Sequence, residues 1–291
     1  MIIALALSPS LDVTYEVDRL RLGGITRPLA VTRVAGGKAL NVARVARALG
    51  ADARAVAALG GHTGARVGEM LASDGVPAVV VRLAGETRTC SAVVEHGGKT
   101  SSTDLYEAAT PFSPEEWAEF RDAAVTAAGD RMPWVAVSGS LPEGVPAEEL
   151  AALLDRLRRA GARIAVDSSG VGLRAMAGGA DLLKVNRGEV AELLGEAQPH
   201  AAAAAHALRA RWGADAVVTD GIHGGFAMLG GVEVAVPPPD APGRFPAGSG
   251  DAFLGGLLTG LDGGLEVGAA VAGAREAAER NARAPGQGVL G

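Results

Sequence analysis

Apolar and polar positions alternate along this chain in two different rhythms. "MIIALAL" at residues 1–7 and "ARAVAALG" at 53–60 are short apolar runs, which predict buried strands. "DVTYEVDRL" at 12–20 and "TRPLAVTRV" at 26–34 alternate apolar and polar residues, as half-exposed strands do. "TRTCSAVVEHGGKTSSTDLYE" at 87–107 predicts a hairpin turning at His96-Gly97-Gly98-Lys99. Helical spacing appears in "KALNVARVARALG" at 38–50, which ends on a glycine stop, and in "GARVGEMLASDG" at 64–75.

From residue 113 the two rhythms take turns. "SPEEWAEFRDAAVTAA" predicts a helix with Ser113 as N-cap and Glu116 closing a capping box. Strands at 134–139, 163–169, 182–186 and 216–221 are interleaved with helices at 146–161, 187–195 and 201–213. A strand pair at 224–229 and 232–236 follows, and helices at 250–261 and 265–283 complete the series. Such alternation predicts an α/β fold: a mostly parallel central sheet between two helical layers. The strands at about 12–34 and 88–107 break the alternation and predict a separate small β-sheet, a lid built from two excursions of one 1–291 domain.

Composition narrows the class. With 48% hydrophobic residues over 291 positions, the chain has ample material for a core. The net charge of -6 argues against broad electrostatic binding to nucleic acid or to an acidic membrane, while leaving room for a local cationic pocket. The one cysteine, Cys90, excludes an intramolecular disulfide, and "MIIALALSPSLD" lacks the basic region of a signal peptide. Together these predict a cytoplasmic protein. Basic residues are almost all Arg; Lys occurs only at Lys38, Lys99 and Lys184, and two of these fall in candidate sites. The five histidines show no metal-ligand spacing.

Four stretches carry chemistry. "GRFPAGSGDAFLGG" at 243–256 places Gly248, Ser249 and Gly250 at a helix N-terminus, whose free N–H groups and partial positive charge suit an anion. Asp251 beside them is either a helix-stabilising charge or a general base for a hydroxyl attacking a phosphoryl group. "VAGGKALNVAR" at 34–44 is no Walker A loop, because Ala39 stands where Ser or Thr should follow the lysine. With "SPSLD" at 8–12 it offers Asp12, Lys38 and Asn41 for sugar hydroxyls and an anion. "LLKVNRGEVAELLG" at 182–195 contains Asn186 and Glu189 in N-x-x-E spacing, which suits either a hydrated Mg²⁺ or a helix first turn. "VVTDGIHGG" at 217–225 ends a strand in a glycine turn, as a nucleotide loop would. A dinucleotide oxidoreductase is disfavoured, since no G-x-G-x-x-G follows the first strand.

In this order and spacing, "GGKALNVAR", "VSGSLPEGVP", "KVNRGE", "VTDGIHGG" and "AGSGDAF" resemble the PfkB (ribokinase-like) family of carbohydrate kinases over essentially the whole chain. "SPSLD", "GGKALN", "LGGHTG" and "SGSLP" carry a narrower likeness to its phosphosugar branch, 1-phosphofructokinase and tagatose-6-phosphate kinase. The resemblance implies a ribokinase-like three-layer fold and transfer from Mg-ATP to a hydroxyl of a ketohexose phosphate, such as fructose-1-phosphate, tagatose-6-phosphate or fructose-6-phosphate. It implies Asp251 as base and Gly248, Ser249 and Gly250 as anion hole. It puts Asp12, Gly37, Asn41 and Ser138 on the sugar, with Lys38, Arg88 and Arg27 on its phosphate. Lys184, Asn186, Thr219, Gly221, Gly224 and Asn281 would serve ATP, and Glu189 the Mg²⁺. A homodimer through the lid is also implied. The alternatives are the same fold acting on an unphosphorylated sugar or nucleoside, and a non-catalytic sugar- or nucleotide-binding protein. Ser8, where the branch usually has Asn, and "KALN" in place of "KGLN" are departures from its pattern.

Overall fold

Nine strands form the central sheet of the protein, seen in a computed structural model that describes residues 1–97, 102–129, 131–241 and 243–291. In chain order the strands of this sheet are β1 (Ile2–Ala6), β4 (Ala53–Gly60), β5 (Ala78–Leu83), β8 (Trp134–Ser138), β9 (Arg163–Asp167), β10 (Leu182–Asn186), β11 (Asp215–Thr219), β12 (Gly225–Leu229) and β13 (Val232–Val236). Their spatial order is β13-β12-β11-β10-β9-β8-β1-β4-β5. All neighbours from β5 to β11 pair in parallel, and β12 and β13 add an antiparallel end. The chain runs outward from β1 to β4 and β5, then returns to the other side of β1 at β8. A sheet that reverses its order in this way opens a crevice at the carboxyl ends of the strands beside the reversal.

The period of two along each strand feeds both helical layers. Ile3 and Leu5 of β1 join a cluster with Trp117, Phe120, Leu150 and Leu154, from α3 (Pro114–Ala128) and α4 (Ala147–Arg159). Residues α5 (Gly170–Met176), α6 (Arg187–Leu194) and α7 (Ala201–Trp212) complete that layer. Ala4 and Ala6 face the other way, against Leu40, Ala43, Val67 and Leu71 of α1 (Lys38–Ala48) and α2 (Gly61–Ser73). On that same side α8 (Ser249–Asp262) and α9 (Val267–Arg283) cover β8 to β11. The predicted capping box is present: Ser113 Oγ accepts from Glu116 N at 3.2 Å, and Glu116 Oε2 accepts from Ser113 N at 2.6 Å.

The small sheet contains β2 (Ser10–Val17), β3 (Ala30–Gly36), β6 (Thr89–Glu95) and β7 (Thr103–Tyr106) in the order β3-β2-β6-β7. The two excursions meet through a parallel pair, β2 with β6, flanked by antiparallel β3 and β7. Gly98 and Lys99 of the predicted hairpin turn lie outside the described residues. The fold also contains β5 and α5, which the apolar pattern did not single out; β5 is an edge strand exposed at Ala78, Val79 and Val80 and so lacks the signature of a buried one. No helix among the described residues is long and apolar enough to cross a membrane.

Candidate active site

The crevice at the carboxyl ends of β1, β8, β9 and β10 gathers an unusual density of charge. Asp251 sits in the first turn of α8, 5% exposed. It gets there because α8 lies close against α1: a Cβ at Gly255 would come within 2.9 Å of Val42 O and of Val45. That approach brings Asn41, on α1, to Asp251, and Asn41 Nδ2 donates to Asp251 Oδ2 at 2.8 Å. Burial pushes the Asp251 carboxyl up to about 7, helped by the nearby Asp167 charge and opposed by Lys38, the Asn41 hydrogen bond and Lys184.

Gly248 N-caps α8 at φ 82, a left-handed conformation that suits glycine, and it turns the chain so that the next amides open the helix. Lys184, on β10, stands over this terminus. A Cβ on Gly250 would fall 2.7 Å from its Nζ, so the missing side chain is what lets the ammonium approach the helix mouth. An ammonium thus stands at the predicted anion site, where Ser249 N already donates to Pro246 O at 3.1 Å.

Asp167, at the end of β9, was not among the residues the sequence singled out. It accepts from Lys184 Nζ at 2.6 Å through one oxygen and from Lys38 Nζ at 2.8 Å through the other. Fully buried, its carboxyl would rise by desolvation alone, but the Lys184 and Lys38 charges outweigh this and hold it below the usual range. Lys38 is raised in turn by Asp167 against its own desolvation. Strand order, which sets β9 between β8 and β10, is what brings Asp167 to both lysines.

The sugar-side residues lie on the lid side of the same crevice. Asp12, on β2, is 3% exposed, accepts from Ser10 Oγ at 2.6 Å and is pushed up to about 6 by burial. Its carboxyl is seated over Gly36, where a Cβ would lie 2.0 Å from Cγ; sequence reasoning named Gly37 and passed over Gly36. Gly37 itself turns at φ 95 with Pro9 and Ser8 packed against it. Ser138 ends β8 opposite Asp167, and its buried Oγ finds no partner among the described residues. Arg88 donates to Ser8 O and Glu107 O, both at 3.1 Å. The two cations expected to share one phosphate therefore have different neighbours: Lys38 sits among carboxylates, Arg88 at the lid hinge. Arg27 is exposed on the loop between β2 and β3 and, among the described residues, makes no ion pair.

On the opposite side of Asp251 a cleft of about 380 Å³ is lined by Thr219, Gly221, Gly224, Pro237, Phe253 and Ala278, together with Ser249 and Gly250. Three expected nucleotide residues therefore share a cavity with the helix mouth. Asn281 does not line this cleft. It is fully buried behind the helix mouth rather than on the cleft, donating to Ala247 O at 2.9 Å and to Ser249 Oγ at 3.2 Å, and accepting from Gly288 N at 2.7 Å. It braces the loop that carries Gly248. Asn186 and Glu189 form a second capping box: Asn186 Oδ1 accepts from Glu189 N at 2.9 Å, and Glu189 Oε2 accepts from Asn186 N at 2.8 Å. The other Glu189 oxygen lies 4.0 Å from Lys38 Nζ, and burial raises the Glu189 carboxyl. Among the described residues no group of three or more potential metal-ligating side chains occurs. A single carboxylate oxygen left over from the cap, 4.0 Å from Lys38 Nζ, would suit a largely hydrated Mg²⁺ held with phosphates, and not a closed metal cage.

Comparison with known proteins follows this geometry. Residues 6–289 match the family described as pfkB family carbohydrate kinase. A crystal structure of phosphofructokinase-2 from Escherichia coli in complex with fructose-6-phosphate superposes with a TM-score of 0.85 at 27% identity, covering 95% of this chain and 92% of that one. A possible 1-phosphofructokinase from Thermotoga maritima gives a TM-score of 0.83 at 20% identity, covering 97% and 90%. A putative ribokinase from Agrobacterium tumefaciens gives 0.77 at 20% identity, covering 99% and 93%. These last two show a shared fold.

Proposed function

The chain belongs to the pfkB family of carbohydrate kinases, and from that premise we propose that it phosphorylates a hydroxyl of a ketohexose phosphate, with Asp251 as the general base. The observation that carries this reading is the position of Asp251. It is a buried carboxyl poised at about 7, in the first turn of α8, between the Asp12–Asn41 side of the crevice and the cleft at Thr219 and Gly221. A base with that proton affinity takes a proton from a hydroxyl near neutral pH and is regenerated as readily.

The remaining groups fit the same reaction. The sugar is oriented by Asp12, Asn41, the Gly36–Gly37 turn and the unpartnered Ser138 hydroxyl. The helix mouth at Gly248 and Gly250 and the Lys184 ammonium would serve the phosphoryl group in transfer, where fixed donors act most strongly on developing charge. Lys38 stands on the sugar side of Asp167 and Lys184 on the nucleotide side, so one carboxylate holds both ammoniums in place until anionic ligands arrive. Glu189 would hold Mg²⁺, which when bound neutralises charge on the phosphates of ATP. The lid sheet excludes water once the sugar is in place. A phosphorylated acceptor is favoured over a neutral one by Arg88, whose Nε is buried without a partner among the described residues. The E. coli protein solved with fructose-6-phosphate, at 27% identity, supports the same class.

The test is ADP release with Mg-ATP over fructose-1-phosphate, tagatose-6-phosphate, fructose-6-phosphate, fructose, ribose and adenosine. Turnover confined to phosphosugars is expected. Turnover confined to the neutral acceptors removes the phosphate subsite and keeps the kinase; silence on all six refutes the substrate class.

A further inference from the structure

Behind the base lies a charged side chain that touches neither candidate ligand pocket. Arg44 is on α1, one turn beyond Asn41, and only 7% exposed. Its guanidinium is held on every side. Nε donates to Asp74 Oδ2 at 2.9 Å, Nη2 donates to Ala35 O, and Nη1 donates to Gln287 O at 3.1 Å and to Asn41 Oδ1 at 3.2 Å. A guanidinium has five donors and no acceptor. The amide atom of Asn41 that faces Arg44 must therefore be the carbonyl oxygen. Asn41 is fully buried, so no water can substitute a different arrangement.

That constraint reaches Asp251. With Oδ1 committed to Arg44, the amide presents its NH2 to Asp251 Oδ2, and a donor at that oxygen stabilises the ionised carboxylate more than the acid. With the amide reversed, the carbonyl would face Asp251 and would favour the protonated acid, which cannot take up a proton. We propose that Arg44 is a positioning residue that fixes the Asn41 side chain NH2-first toward Asp251 and so keeps Asp251 in its proton-accepting form. The inference rests on the reading of Asp251 as base and adds to it a residue that makes no contact with the reacting groups. The charged groups facing Asp251 directly are Lys38 from α1, Asp167 from the end of β9 and Lys184 from β10. Arg44 also lowers the Asp12 carboxyl through its charge, and it reaches Asp251 through Asn41.

The experiment is a carbon-13 titration of the aspartate carboxyls in the ligand-free protein, with the Asp251 resonance assigned by its loss in Asp251→Asn. Asn41→Leu removes the donor and moves the Asp251 midpoint upward. Arg44→Lys keeps the positive charge but loses the planar fork, which a lysine ammonium cannot replace. It is expected to shift the midpoint in the same direction by about half to one pH unit, the size of one hydrogen bond. Added to Asn41→Leu, Arg44→Lys then shifts it no further, since both act through one contact. An unmoved midpoint in Arg44→Lys, or a shift that persists on the Asn41→Leu background, overturns the proposal. If Arg44→Lys does not fold, Asp74→Ala loosens the same guanidinium from the surface, and a smaller upward shift is expected; none would overturn it. Turnover of Asp251→Asn is measured in parallel. Near-normal turnover there ends the base assignment, whereas the titration alone decides whether Arg44 orients Asn41.

Discussion

Asp251 is held at a thermodynamic disadvantage that its chemistry needs. Burial raises its carboxyl from 3.8 to about 7. In the unfolded chain the group ionises near 3.8, so above that pH the unfolded state sheds a proton that the folded state still holds. The resulting destabilisation grows between pH 4 and 7 and is complete above 7. Asp251→Asn removes it, and the variant is expected to melt at a higher temperature than the wild type at pH 8, with the gain shrinking at pH 5. Calorimetry at both values checks this. The same substitution is expected to lower kcat by at least ~10²-fold with acceptor KM little changed, the scale of a lost general base. In the wild type, kcat/KM should rise with pH through about 7 as the base ionises. A flat profile from pH 5.5 to 8, with chemistry shown to limit the rate, would remove Asp251 from that role.

At the scale of elements, two glycines of one helix start do different work, and alanine separates them. Gly248 needs its positive φ of 82, and an added Cβ would strike backbone of Gln287 and Gly288 at 2.9 Å. Gly248→Ala is expected to cost about 1–3 kcal/mol of stability through strain. Gly250 is ordinary helix, and its Cβ would meet only the movable end of Lys184, at 2.7 Å. Gly250→Ala is expected to keep the melting temperature within a few degrees and to lose turnover, because the ammonium is displaced from the helix mouth. Equal melting losses in the two variants would contradict this division. The contrast also shows what the sequence could reveal. "AGSGD" before an apolar helical run announces an anion site, since its chemistry is local. So does "SPEE" as a capping box. N-x-x-E at Asn186–Glu189 spelled a cap and a metal site at once, and the cap is formed in full. Asp167 was illegible because its partners come from strand order, and Arg44 because only its contact to Asn41 is local while its others come from chain return. Arg44 donates to Gln287 O across 243 positions, and no window of sequence contains both ends of that bond. Asn281, which only the resemblance puts near the nucleotide, is hydrogen-bonded to the loop carrying Gly248.

At the scale of the molecule, the lid sheet poses a problem of exposed surface. Its two outer strands, β3 and β7, have no strand partner on their outer side among the described residues, and β7 is exposed along its whole length. Leu29, Leu105 and Tyr106 are 64%, 63% and 55% exposed. Apolar side chains beside open strand edges are a site for another chain to add, and natural sheets cover or charge such edges when nothing binds there. The lid does neither at these positions. A second copy of the chain placed lid to lid would cover such a patch, because a two-fold contact buries the same surface on each partner. The expected outcome is a particle of about twice 29.1 kDa by sedimentation equilibrium at micromolar concentration. Leu29→Asp combined with Leu105→Asp should halve that mass while leaving the melting behaviour of the main sheet intact, because neither residue belongs to its core. The double variant should also raise the acceptor KM more than it lowers kcat, since Asp12 and Arg88 are carried on or beside the lid strands whereas Asp251 is carried on α8. A wild-type monomer would show that the lid edges stay open in solution. A dimer that survives both charges would move the interface elsewhere on the molecule.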